Sequence, residues 1–124
     1  MGNKPLSMTK HIIGYEEIKT DKYVLITTLE ANECLIRNTL LPNEEIDYIN
    51  SCISNNRQEH IIIYGKNYLD ETIYKQYEKL NSLGFDNVYI YPGGIFEWLL
   101  LQDVYGNELF ATSTNESDIL KYGS

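Results

Sequence analysis

The sequence predicts an α/β fold, a parallel sheet of about five strands with helices on both faces. Three observations carry that reading. Ile61-Ile62-Ile63-Tyr64 and Val88-Tyr89-Ile90-Tyr91 are short runs without alternation of apolar and polar residues, as strands covered on both sides require. Between them Ile73, Tyr77, Leu80 and Leu83 recur at helical spacing, which gives a helix one apolar stripe to lay on a sheet. The connection is also long enough for the crossover that two parallel strands need.

In chain order, residues 1–10 read as an N-terminal arm, residues 11–111 as one domain and residues 112–124 as a polar C-terminal tail. His11-Ile12-Ile13 predicts a short edge strand, and Tyr15-Glu16-Glu17-Ile18 one turn of helix. Tyr23-Val24-Leu25-Ile26 is apolar throughout and predicts a central strand. Pro42, followed by Glu44 and Glu45, marks a helix start, because proline suits the first turn and acids complement the helix dipole there. Ile46, Ile49 and Ile53 then define the core face of a helix over about 43–54, which Asn55-Asn56 ends. Gly84 stops the following helix, since glycine enters the left-handed conformation without steric cost. Trp98 and Leu99-Leu100-Leu101 complete the last helix. Val104, Tyr105, Leu109 and Phe110 predict an extension packed back on the body, and Ile119-Leu120 are the only apolar anchor of the tail.

The chain has 124 residues, 43% of them hydrophobic and 23% charged, within the range of a single soluble domain. Its formal charge of −8 disfavours nucleic acid and anionic membrane surfaces as partners. No run approaches the roughly 20 apolar residues of a membrane span, and Met1 to Lys10 lacks the apolar core of a secretory signal. Met1-Gly2 resembles a myristoylation start, but Leu6 stands where that signal carries Ser or Thr. Two cysteines, Cys34 and Cys52, then read as reduced thiols of a cytoplasmic protein. No Cys/His/carboxylate cluster has metal-ligand spacing, so no metal and no cofactor is expected.

The order of the pieces from 60 to 98 resembles the rhodanese-like domain family. Gly84-Phe85, Asn87-Val88-Tyr89 and Gly93-Gly94-Ile95-Phe96-Glu97-Trp98 match that family's Gly-aromatic pair, second strand, and Gly-Gly followed by Trp. The resemblance covers about residues 11–102. It implies an active-site loop directly after Tyr64, wrapped onto the start of the next helix and carrying a cysteine that accepts sulfur as a persulfide. Here that position is Gly65. The Asp-x-Arg pair that commonly follows the family's first strand is replaced by Thr27-Thr28-Leu29, and Cys34 to Thr39 share only an isoleucine with the usual Gly-His-Ile-Pro-Gly-Ala segment. The resemblance therefore implies the fold and, through Gly65, a domain that lacks the family's usual chemistry and works by binding, most naturally a protein partner as adapter or assembly component. The alternatives are a sulfurtransferase or phosphatase-like enzyme using a displaced cysteine, and a small-anion-binding module.

The degenerate loop is Gly65, Lys66, Asn67, Tyr68, Leu69 and Asp70, followed by Glu71. It holds no cysteine, serine, threonine or arginine, so it offers neither a nucleophile nor a phosphate clamp. Its consecutive amides at a helix start can form an anion nest to which Lys66 adds charge, or Asp70 and Glu71 can simply complement the helix dipole. Tyr68 and Leu69 either form a contact patch rimmed by charge or fold inward as a plug. Cys52, beside Ile49 and Ile53, reads as a buried thiol. Cys34 has Arg37 near it in sequence, which lowers a thiol pKa when the two meet. His60 reads as a rim residue, and Tyr74 as an exposed one.

Overall fold

Three parallel strands form the centre of the molecule, β1 (Val24–Thr27), β2 (Ile61–Tyr64) and β3 (Val88–Tyr91), in the order β1-β2-β3. The computed structural model describes residues 11–124; the arm expected over residues 1–10, with its Met1-Gly2 start, lies outside them. Val24 stands opposite Ile61, and Ile61 opposite Val88. All four residues of β2 are buried. Successive side chains leave a strand on opposite faces, and the core divides accordingly. Ile61 and Ile63 pack with helices α2 (Pro42–Ser54) and α3 (Thr72–Ser82). Ile62 and Tyr64 pack with α1 (Tyr15–Ile18) and α4 (Gly94–Tyr105).

About five strands were expected, and the described residues form three. The other two pairings are reduced to isolated bridges, Ile12 with Ile90 beside β3 and Leu25 with Thr39 beside β1. Each has a local cause. His11 points its ring at the sheet and places Nδ1 2.7 Å from Val88 O, and only Ile13 N reaches Ile90 O, at 3.0 Å. On the other edge, Asn38 has φ +69°, and both Thr39 N and Thr39 Oγ1 donate to Ile36 O. That turn breaks the extended run before a ladder forms.

The helix starts and stops follow the sequence closely. Glu44 accepts from Leu41 N, and Gly84 takes φ +100°, the left-handed stop expected of it. The stripe on α2 is rotated from the expected one, however. Ile49 and Cys52 are buried, whereas Ile46 is 68% and Ile53 48% exposed. Helical residues are turned about 100° apart, so Ile46 and Ile53 fall on one flank of a face centred on Ile49 and Cys52. On α3, Ile73, Tyr77 and Leu80 are buried as expected, but Leu83 is 44% exposed at the helix end.

The C-terminal segment packs more tightly than its polar composition suggests. Ile36 bridges Thr112 in antiparallel fashion, and Trp98 Nε1 donates to Ala111 O at 3.0 Å. Residues Ile119–Tyr122 form a single 3-10 turn against α4. Tyr122, rather than Leu120, is the buried anchor, with Ile119 half-buried beside it. Its hydroxyl accepts from Cys34 N at 3.2 Å.

Candidate functional site

The carboxyl ends of β1, β2 and β3 converge on the loop between β2 and α3, the edge where open α/β sheets place their ligands. One glycine lets that loop close on α4. Gly94 has φ +65°, and a Cβ there would lie 2.6 Å from Gly65 O and 2.8 Å from Lys66 O. The bare backbone instead lets Ile95 N donate to Gly65 O and Phe96 N to Lys66 O, each at 3.0 Å. Gly94 is thus the fitting that holds the loop on the start of α4.

The loop's own polar groups are bonded among themselves. Asp70 Oδ2 accepts from Lys66 N at 2.8 Å, and its Oδ1 accepts from Thr72 N at 2.9 Å and from the Thr72 hydroxyl at 2.5 Å. The Thr72 hydroxyl also lies 2.7 Å from that of Thr28. Partial burial pulls the Asp70 carboxyl upward in pKa, but the bonds from Thr72 and Lys66 and the Lys66 charge outweigh it, leaving Asp70 below the ordinary aspartate range. The amides of Lys66 and Thr72, which an anion nest would need, are therefore already turned onto a resident carboxylate. Gly65 is buried against the same group: a Cβ there would clash with Asp70 Oδ2 and lie 2.8 Å from Thr28 Oγ1.

Asn67 is the second pin. It is buried, its Oδ1 accepts from Leu69 N at 2.9 Å, and its Nδ2 donates to Tyr122 O at 2.7 Å. This bond joins the loop to the C-terminal turn. Tyr68 and Leu69, between the two pins, are 71% and 62% exposed. An open cleft beside them is lined by Lys66, Asp70, Glu71, Thr72, Lys75 and Ser124.

The residues the sequence singled out as loop thus form one constellation, with Gly65, Asn67 and Asp70 inside it and Tyr68 and Leu69 outside. Thr28, Thr72 and Tyr122 complete it and were not singled out. The Thr27-Thr28 departure after the first strand was a signal for the first; nothing local marked Tyr122. Tyr74 is half-buried against the core rather than exposed. Neither cysteine joins the site. Cys34 is buried and its thiol donates to Thr114 O at 3.5 Å, while Arg37 is exposed. Cys52 is fully buried and accepts from the Arg57 guanidinium at 3.7 Å. His60 is exposed beside the Tyr23 ring. Among the described residues no group of three or more His, Cys, Asp or Glu is arranged to hold a metal, and no helix is long and apolar enough to cross a membrane.

The matching stretch of sequence runs over residues 10–101 and corresponds to the family described as Rhodanese-like domain. The chain belongs to that family. No curated protein matches it. Among solved structures, the rhodanese-like chain is similar to the Alr3790 protein from Anabaena sp., with 16% identity, 90% of this chain and 100% of that one covered, and a TM-score of 0.56. At that identity the likeness concerns the fold alone, and it agrees with the α/β arrangement of parallel strands and flanking helices described above.

Proposed function

We propose that this rhodanese-like domain performs no covalent chemistry and works by holding a protein partner, as an adapter or assembly component, on the exposed tip of the β2–α3 loop. The observation that carries the reading is the position of Asp70. Its carboxylate fills the space in front of Gly65 and takes two amides, those of Lys66 and Thr72, that would otherwise face an anionic donor or a thiolate. A persulfide needs a sulfur there and free donors around its charge; glycine supplies none of the first, and Asp70 occupies the Lys66 and Thr72 amides with a negative charge of its own. The burial of Cys34 and Cys52 speaks against a displaced nucleophile, and the filled nest speaks against a small-anion sensor.

What remains available at this edge is Tyr68 and Leu69, an aromatic and an aliphatic group, with Lys66, Glu71 and Lys75 lining the cleft beside Leu69. An apolar centre with a charged rim is the composition of an interaction patch, and the pins at Asn67 and Asp70 hold it in one shape before any partner arrives. The two free thiols suit a reducing compartment, so the reading places the protein in the cytoplasm.

The test is crosslinked capture from the native source with wild type and with Tyr68→Ala/Leu69→Ala, after both are shown to melt alike. The variant is expected to lose the partner that wild type retains. A variant that keeps the same partner removes this loop as the binding site.

A further inference from the structure

A second concavity lies away from the loop, on the face of the sheet under α1 and α4. Its volume is about 420 Å3, the size of a small-molecule site, and it shares no residue with the cleft beside the loop. Ile18 of α1, Ile36 and Trp98 of α4 give it an apolar base, and all three are buried. Its backbone is unusual as well. Asp21 and Asn38, at φ +60° and +69°, both line it. Among the described residues only Asn56 joins them as a non-glycine residue at positive φ. Such conformations gather at ligand sites, where the surroundings hold them in place.

The mouth carries both signs of charge, and the charges are not spent on each other. Lys19 and Arg37 supply the cations and Asp21 and Glu108 the acids, all four exposed. Lys19 Nζ sits 4.3 Å from the centre of the Phe110 ring. Arg37, Asp21 and Glu108 have no side-chain hydrogen bond or ion pair among the described residues. We propose that this cavity binds a free amino acid with a large apolar side chain. That side chain rests on the Trp98 base, the carboxylate turns to Arg37 and the ammonium to the two acids. A guanidinium presents paired donors that match a carboxylate. A formal charge of −8 opposes the approach of an anion, whereas a zwitterion carries no net charge and uses both signs at the mouth.

Titration of the whole chain with L-phenylalanine tests the proposal, because Trp98 is the only tryptophan of the sequence and its emission reports on the base of this cavity. A saturable change is expected below about 10 mM, within the range of weak small-ligand binding. Hydrocinnamate lacks the ammonium and phenylalanine methyl ester lacks the carboxylate. Each is expected to bind at least about tenfold more weakly, the loss that goes with one charged hydrogen-bonding group. Arg37→Gln, at an exposed position, is expected to keep its melting temperature, lose about tenfold in affinity for phenylalanine and leave that for the ester unchanged. No change in Trp98 emission at that concentration, with no shift of the amides of residues 18–21 and 36–38 in NMR spectra, overturns the proposal. So does hydrocinnamate or the ester binding as tightly as phenylalanine, or an Arg37→Gln protein with wild-type affinity.

Discussion

The two faces of the sheet are built from different materials. The face under α2 and α3 is mostly aliphatic, with Ile26, Ile61, Ile63, Ile90 and Leu80 among its buried residues. The face under α1 and α4 is aromatic and carries polar handles: Tyr64, Tyr91, Trp98 and Tyr122 each spend a hydroxyl or ring N–H on a hydrogen bond. The Tyr64 hydroxyl accepts from Ile36 N at 3.0 Å and lies 2.8 Å from Thr39 Oγ1, and burial above all pushes its pKa up to about 12. The aliphatic face is held by packing, which tolerates small shifts. The aromatic face is held by directional bonds between distant parts of the chain, and the candidate site hangs from it through Asn67 and Gly94. The difference teaches that the loop's shape is set mainly from the C-terminal half.

The sharpest way to break that contrast is Gly94→Ala. It adds a Cβ 2.6 Å from Gly65 O at a positive φ, so strain and backbone collision combine, and a loss of more than about 3 kcal/mol in urea unfolding is expected. Next comes Asn67→Ala. Removing the side chain leaves Leu69 N and Tyr122 O without their partner, for a loss of about 1–3 kcal/mol. Amide exchange should rise in both the loop and the 119–122 turn, and a rise confined to the loop would show that the Asn67 bond does not hold the turn.

The Asp70 contact predicts a pH dependence. Its folded pKa is depressed, so its contribution to stability is present above the unfolded value near 4 and is lost as pH falls through the folded value. Wild type should therefore lose a component of stability below about pH 4 that Asp70→Asn lacks. Equal acid sensitivity in the two proteins would mean that the carboxylate is not held as described. The smallest effect belongs to the loop's outer residues. Tyr68→Ala/Leu69→Ala should change stability by less than about 0.5 kcal/mol, because both side chains are largely exposed. A loss of several kcal/mol would mean that they act as a plug.

The same contrast explains what was legible beforehand. Strands and helices whose packing partners lie nearby in sequence, β2, α3 and β3, could be read within a residue or two from Ile61-Ile62-Ile63, the Ile73/Tyr77/Leu80 stripe and Gly84. The loop could be located from Gly65 and the Gly93-Gly94 pair. The edge strands could not, because a positive φ at Asn38 and a histidine ring at His11 decide them. Nor could the rotation of α2, since Ile46, Ile49 and Ile53 are chemically alike and only the sheet distinguishes them. Tyr122 reaches Cys34 and Asn67 across 88 and 55 residues of chain, a relation that no local pattern records. Asp70 was visible as a helix-start acid, but that its carboxylate sits before Gly65 required the fold of the loop.

The central claim is that this loop has no covalent chemistry because Gly65 and Asp70 together leave none to perform. Sulfur transfer from thiosulfate to cyanide by the purified protein measures it directly, with Gly65→Cys and Gly65→Cys/Asp70→Ala alongside. No turnover above background is expected from wild type, and no efficient turnover from Gly65→Cys, whose new side chain would collide with the Asp70 carboxylate. Wild-type turnover that disappears in Cys34→Ser or Cys52→Ser would contradict the account, as would family-like rates from Gly65→Cys alone.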